Sequence, residues 1–256
     1  MTGEIAAVRR GPVGIVQNVT DPLRVLVVAA HPDDIEFGCA GSVAVWTDDG
    51  AEVTFVIVTD GSTGTADNEL VGERLAEIRR EETVRAAKIL GVDNVVFLGY
   101  RDGYVEPTLE LRRDIAREYR KARPHRFVVM DPQPLPGNWF VNHPDHRAVG
   151  QACLDVTITA GTTPGHFPEL LDEGLEPWRE MKEIYIAGPG GGEHAVDITT
   201  AVDRKIDALK SHASQLGEWD PADMIRGWTA VNGKEHGFAH AELFHLIRPL
   251  DVGSGD

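Results

Sequence analysis

The chain has 256 residues, 42% of them hydrophobic and 26% charged, a mixture that excludes wholesale disorder and suits one α/β domain. Lys and Arg number 25 against 41 Asp and Glu, a formal net charge of −16. Such a field repels phosphate backbones and anionic membranes, and no basic patch offsets it, because Arg79-Arg80 and Arg112-Arg113 sit among acidic residues.

In chain order, residues 1–22 read as a mixed lead-in, and residues 23–250 as one domain. Arg24–Ala30 (RVLVVAA) is a continuous valine-rich run, the pattern of a strand buried on both faces. A helix-like stretch over Gly41–Asp48 and a second strand over Glu52–Thr59 follow, then a loop at Gly61–Ala66. Helical periodicity runs from Glu69 to Leu90, with Gly91 in the position that ends a helix. Strands are expected at Asn94–Leu98, Arg126–Met130 and Glu183–Ala187, and helices at Leu109–Ala122, Pro144–Ala160 and, as the last long one, Thr199–Ser214. Asp131–Val141 reads as a Pro-rich loop, and Gly188–Gly192 as a plain turn, since it lacks the lysine and flanking elements of a phosphate loop. Repeated strand–helix alternation predicts a Rossmann-like, mostly parallel sheet with helices on both faces, whose ligands sit at the carboxyl ends of strands.

Two segments at such ends carry chemistry. His31-Pro32-Asp33-Asp34 follows the first strand, and His143-Pro144-Asp145-His146 opens the helix after the fourth. A single His-Pro-Asp is ordinarily a turn whose histidine bonds a carboxylate. Two copies at matching strand ends, over 100 residues apart, favour a shared metal site. Catalytic zinc keeps three protein ligands and an open position for water, and His31, Asp34 and His146 supply that set. Asp33 then remains as general base and His143 as a nearby polar or cationic group. Two cysteines exclude a disulfide framework or a Cys-rich zinc site, and Cys39 reads as a buried small hydrophobe. His236–His245 reads as surface histidines and His212 as a helix-end cap.

The segments Ala30–Asp34 (AHPDD), Glu36–Gly41 and His143–His146 (HPDH) resemble the LmbE/PIG-L family of zinc-dependent de-N-acetylases. The likeness extends through Thr59-Asp60-Gly61, Arg79 with Glu82, Asp102-Gly103, Asp197-Ile198, Lys205, His212 and Ala241-Glu242. It implies hydrolysis of an N-acyl, usually N-acetyl, group on an amino sugar or related small-molecule amide. One Zn2+ per chain is implied, with another divalent transition metal also compatible. It implies His31, Asp34 and His146 as ligands, Asp33 as base, His143 as transition-state partner, and Arg79 and Asp102 as sugar contacts. Some members carry a tyrosine two residues before the first histidine of HPDH; here that residue is Val141. Arg79 with Glu82 also reads as a simple helix-face ion pair. A nucleotide-binding Rossmann module is disfavoured by the lack of a glycine-rich first turn. A non-catalytic metal-binding protein would have to lack a ligand or the base, and none is missing. No long apolar run appears at the N-terminus, and none elsewhere approaches about 18 residues. A cytoplasmic protein, free of membrane and nucleic acid and compatible with homo-oligomerisation, is therefore expected.

Overall fold

The valine-rich run forms β1 (Arg24–Ala29), with β2 (Glu52–Thr59) on one side and β4 (Arg126–Met130) on the other, both parallel to it. These coordinates are a computed structural model that describes residues 22–134 and 141–249. The expected lead-in, Pro22 apart, and the middle of the Pro-rich loop lie outside those residues. β3 (Asn94–Tyr100) pairs with β2 and β5 (Glu183–Ala187) with β4, again parallel. Alternate residues of β1 enter opposite cores. Val25, Val27 and Ala29 pack beneath α1 (Asp34–Gly38), α2 (Ala40–Asp48) and α3 (Glu73–Ile89). Leu26 and Val28 pack beneath α4 (Leu109–Ala122) and α5 (Pro144–Ile158). Burial on both faces is why the run shows no polar alternation.

The chain after β5 departs from expectation. Beyond the short α6 (Glu169–Asp172), the described residues add β6 (His194–Asp197) and β7 (Ala241–Ile247). β7 runs antiparallel to β5 and β6 antiparallel to β7, completing the order β3-β2-β1-β4-β5-β7-β6. The helix expected over Thr199–Ser214 is shorter and is not the last. α7 (Val202–Leu209) stops at a turn, His212 breaks helical geometry at φ −86° and ψ 55°, and α8 (Ala213–Leu216) and α9 (Ala222–Lys234) follow. α3 likewise starts at Glu73 rather than Glu69, because Asp67 closes a turn onto Glu69 and Gly72 sits at φ 105°. Gly91, at φ 80°, ends that helix as expected.

Two buried ionic knots tie distant segments together. Glu242 on β7 accepts from Gly41 N at 3.0 Å, Ser42 N at 2.7 Å, Ser42 Oγ at 2.6 Å and Lys205 Nζ at 2.6 Å. It places an anion on the unsatisfied N–H groups that begin α2, while Lys205 also donates to Phe37 O at 2.8 Å. Arg120 on α4 is 1% exposed and donates to the carbonyls of Ala160, Thr163, His166 and Leu175 at 2.6–3.1 Å. It thereby organises the long connection between α5 and β5. Arg120→Met strips those carbonyls of their donor and costs about 3 kcal/mol, lowering Tm by roughly 5–10 °C in a chain of this size. An unchanged Tm in differential scanning calorimetry would refute this role.

Candidate active site

Strand order reverses between β1 and β4, the point where open α/β sheets leave a crevice for ligands. Both His-Pro-Asp segments meet there. After β1 the chain turns at Pro32 into α1. Asp33, just before α1, has φ 87°, the left-handed region that aspartate tolerates better than most residues. With that kink the consecutive carboxylates part: Asp34 faces the histidines and Asp33 faces Arg79. On the other side, His143 caps α5, its Nδ1 accepting from Asp145 N at 3.2 Å, with Pro144 in the first turn. α5 lies so close to β4 that a Cβ on Gly150 would stand 2.3 Å from Met130 O. That approach sets His146 against the end of the sheet.

Atoms of three potential ligand residues converge. His31 Nδ1 lies 3.2 Å from His146 Nε2 and 3.3 Å from Asp34 Oδ2, and His146 Nε2 lies 3.0 Å from Asp34 Oδ1. Ligands on a tetrahedral ion with bonds of 2.0–2.1 Å stand about 3.3 Å apart, so the set fits one small divalent cation. The opposite nitrogen of His31 faces Asp102 Oδ1 at 3.1 Å and Asp145 Oδ2 at 3.2 Å. These carboxylates are themselves fixed: Asp145 accepts from Gly103 N at 2.7 Å and Val105 N at 3.1 Å, and Asp102 from Thr63 N at 3.1 Å. His31, Asp102 and Asp145 also form a cluster of metal-binding type, as do His31, His143 and His146. In the first, however, both Asp145 oxygens and one Asp102 oxygen already hold backbone N–H groups, whereas Asp34, which accepts from His31 N on Oδ2 at 2.7 Å, keeps Oδ1 for His146. In the second, His143 Nδ1 is engaged by Asp145 N. A histidine that ligates through one nitrogen while donating the other to a carboxylate is the usual arrangement at metal sites.

The electrostatics agree with a cation site. Burial disfavours charge on His31, but Asp34, Asp102 and Asp145 outweigh it and pull the imidazole up to about 12. Burial would raise Asp34, yet His146 and His31 hold its carboxyl well below the ordinary value. Asp33 moves the other way: burial pushes it up to about 7 against the opposing pull of Arg79. Burial, seconded by His31, lowers His143. Its engaged Nδ1 leaves Nε2 as the N–H of the neutral ring, a tautomer assigned from the hydrogen-bond pattern.

The two residues expected against the sugar sit one layer back. Arg79 is 3% exposed, and its guanidinium donates to Pro32 O at 2.7 Å, Gly61 O at 3.1 Å and Asp33 Oδ2 at 3.3 Å. It does not pair with Glu82, which instead accepts from Ser214 N and Oγ at 2.8 and 2.6 Å. Asp102 divides its oxygens between His31 and Thr63. His212 stands at the N-cap of α8 but its side chain makes no cap bond: fully buried, it directs Nε2 to Glu36 Oε2 at 3.2 Å on α1. Sequence alone gives Asp145 no role, although its place between two histidines in HPDH is a usable signal. Val141 is exposed and offers no hydroxyl. His236 and His245 are exposed, and His245 pairs with Glu193. Gly188–Gly192 is the turn between β5 and β6.

A Rossmann-like sheet with a two-histidine, one-carboxylate cluster at its switch point defines an α/β enzyme with a candidate divalent-metal centre. The family model for PIG-L, GlcNAc-PI de-N-acetylase, matches residues 26–157, which hold both His-Pro-Asp segments. The chain is 34% identical over 232 residues to diacetylchitobiose deacetylase from Thermococcus kodakarensis, covering 89% of this chain and 84% of that protein. A probable N-acetyl-alpha-D-glucosaminyl L-malate deacetylase from Bacillus anthracis is 31% identical over 199 residues, 75% of this chain and 81% of the relative. The solved N,N'-diacetylchitobiose deacetylase from Pyrococcus horikoshii superposes with a TM-score of 0.81 at 32% identity, over 91% of this chain and 87% of that one. The chain belongs to the PIG-L family and is a deacetylase, a hydrolytic enzyme acting on N-acetyl amides. Among the described residues no helix is long and apolar enough to cross a membrane.

Proposed function

We propose that this enzyme is a zinc-dependent de-N-acetylase of small N-acetylated amino sugars, with His31, Asp34 and His146 as ligands and Asp33 as general base. The observation that carries the reading is the set of three residues, His31, Asp34 and His146, whose facing atoms stand 3.0–3.3 Å apart pair by pair, with the separate Asp33 carboxylate beside it. When bound, the ion polarises an acyl oxygen and acidifies a water molecule. Asp33 takes the proton of the attacking water and delivers it to the amine nitrogen as the C–N bond breaks. His143, with Nδ1 held by Asp145 N, presents Nε2–H to the developing oxyanion, the task a tyrosine at position 141 would otherwise perform. Asp102 and Asp145 keep the His31 ring in its ligating orientation.

Zinc-loaded enzyme should release acetate and free amine from N-acetylglucosamine or N,N'-diacetylchitobiose, and lose that activity on chelation. Failure with both sugars at one bound zinc per chain overturns the reading.

Arg79 acts in this scheme as a positioning residue, holding the Asp33 carboxylate and the two loops beside it. Arg79→Lys keeps the charge but not the fork. It should lower kcat by about an order of magnitude with KM nearly constant, the mark of an interaction felt in the transition state. A raised KM with unchanged kcat would instead make Arg79 a direct sugar contact.

A further inference from the structure

The crevice does not end at the ligand cluster. Asp34 and His146 form one wall of a cavity of about 600 Å³ that extends under β4 and β5 towards α9. Its lining is largely apolar, with Phe37, Met130, Ala187, Ile225, Trp228 and Leu243 around it. Trp228 and Val231 on α9, 54% and 72% exposed, also line it. The buried Lys205–Glu242 pair that also borders it is already satisfied by its own partners. The side of the ligand cluster towards β2 and β3 differs in character, carrying Asp60, Asp102 and the exposed Thr63.

An amide lying across the ion has two ends. The amine end carries sugar hydroxyls, whose need for polar partners keeps them out of the largely apolar cavity. The acyl substituent then points the other way, into the apolar cavity. An acetyl methyl fills roughly the space of one water molecule, about 30 Å³, far less than this volume. A cavity of this size and lining is typical of one that encloses a sizeable apolar group.

We propose that the cavity is an acyl-chain subsite, and that the enzyme takes N-acyl amino sugars with medium-length aliphatic chains in preference to N-acetyl ones. The inference rests on the hydrolytic reading above. The reaction is unchanged in balance: water adds, its oxygen forms the new C–O bond of the fatty carboxylate, the amide C–N bond breaks, and the protons end on the free amine. What changes is the group that is buried.

The test compares N-acetyl-, N-butanoyl-, N-hexanoyl- and N-octanoylglucosamine as substrates of the zinc-loaded enzyme, with octyl N-acetylglucosaminide as a fifth compound. Each methylene buried is worth up to about a fourfold gain in kcat/KM, so the N-hexanoyl compound should exceed the N-acetyl one by at least roughly tenfold. Cleavage of the N-acetyl sugar with no gain, or a loss, on chain extension overturns the subsite and leaves the deacetylase reading standing. A gain with the octyl glycoside but not with the acyl series also overturns it, because the cavity would then hold an aglycone. If no compound is cleaved, the hydrolytic reading fails and binding decides the cavity. Octanoate titrated into the same protein should shift tryptophan emission saturably, and the shift should vanish in Trp228→Phe. Absence of a saturable shift overturns the proposal.

Discussion

Asp33→Asn should retain metal and fold while losing roughly two or more orders of magnitude in kcat, the size of a general-base contribution. Asparagine is nearly the same shape and is also among the few residues that accept the φ of 87° found here. The substitution therefore removes basicity with little disturbance to the turn. The competing role for Asp33 is structural, as the partner of Arg79 Nη2 at 3.3 Å. That role predicts a lower Tm with near-normal turnover in the folded enzyme. Metal content, Tm and kcat measured on one preparation separate the two, and a kcat close to that of the parent enzyme would end the general-base assignment.

His146→Ala should strip metal and activity together. The side chain supplies one of the three ligands, and its loss leaves only His31 and Asp34 of the set. Asp102 and Asp145 lie on the far nitrogen of His31, and His143 has its Nδ1 engaged by Asp145 N. His143→Ala is the contrasting variant: it keeps the ion and slows turnover, because His143 lies outside that set. Elemental analysis of both after dialysis gives the answer. Full metal occupancy in His146→Ala would exclude that residue as a ligand.

The parts of the site legible in the sequence are those encoded within a few consecutive residues. HPDD and HPDH place their groups by local backbone geometry, so their meeting followed once the strand ends were located. What was not legible depends on partners far apart in the chain. Nothing around Glu242 announces that its carboxylate lies against the amides of Gly41 and Ser42. Nor does the helical spacing of Arg79 reveal that its guanidinium passes under Pro32 and Gly61. α9 was missed because Gly227 and Gly233, with β-branched Ile225, Thr229 and Val231, blunt its intrinsic helical signal. Gly233 is required by packing, since a Cβ there would stand 2.6 Å from Phe238 O. β7 lacks a strand pattern because its buried residues, Ala241, Glu242 and Phe244, do not alternate cleanly and include a charge.

The Glu242 knot also sets an order of events during synthesis. The carboxylate that secures the start of α2, behind the loop of His31, Asp33 and Asp34, is made 200 residues after the Ser42 amide that it binds. At typical elongation rates of about 5–20 residues per second, that is a wait of roughly 10–40 s. During this interval the first strands can pair, while the amides of Gly41 and Ser42 still face water. The start of α2, behind the His31–Asp34 loop, is therefore secured only once β7, which lies between β5 and β6, has been made.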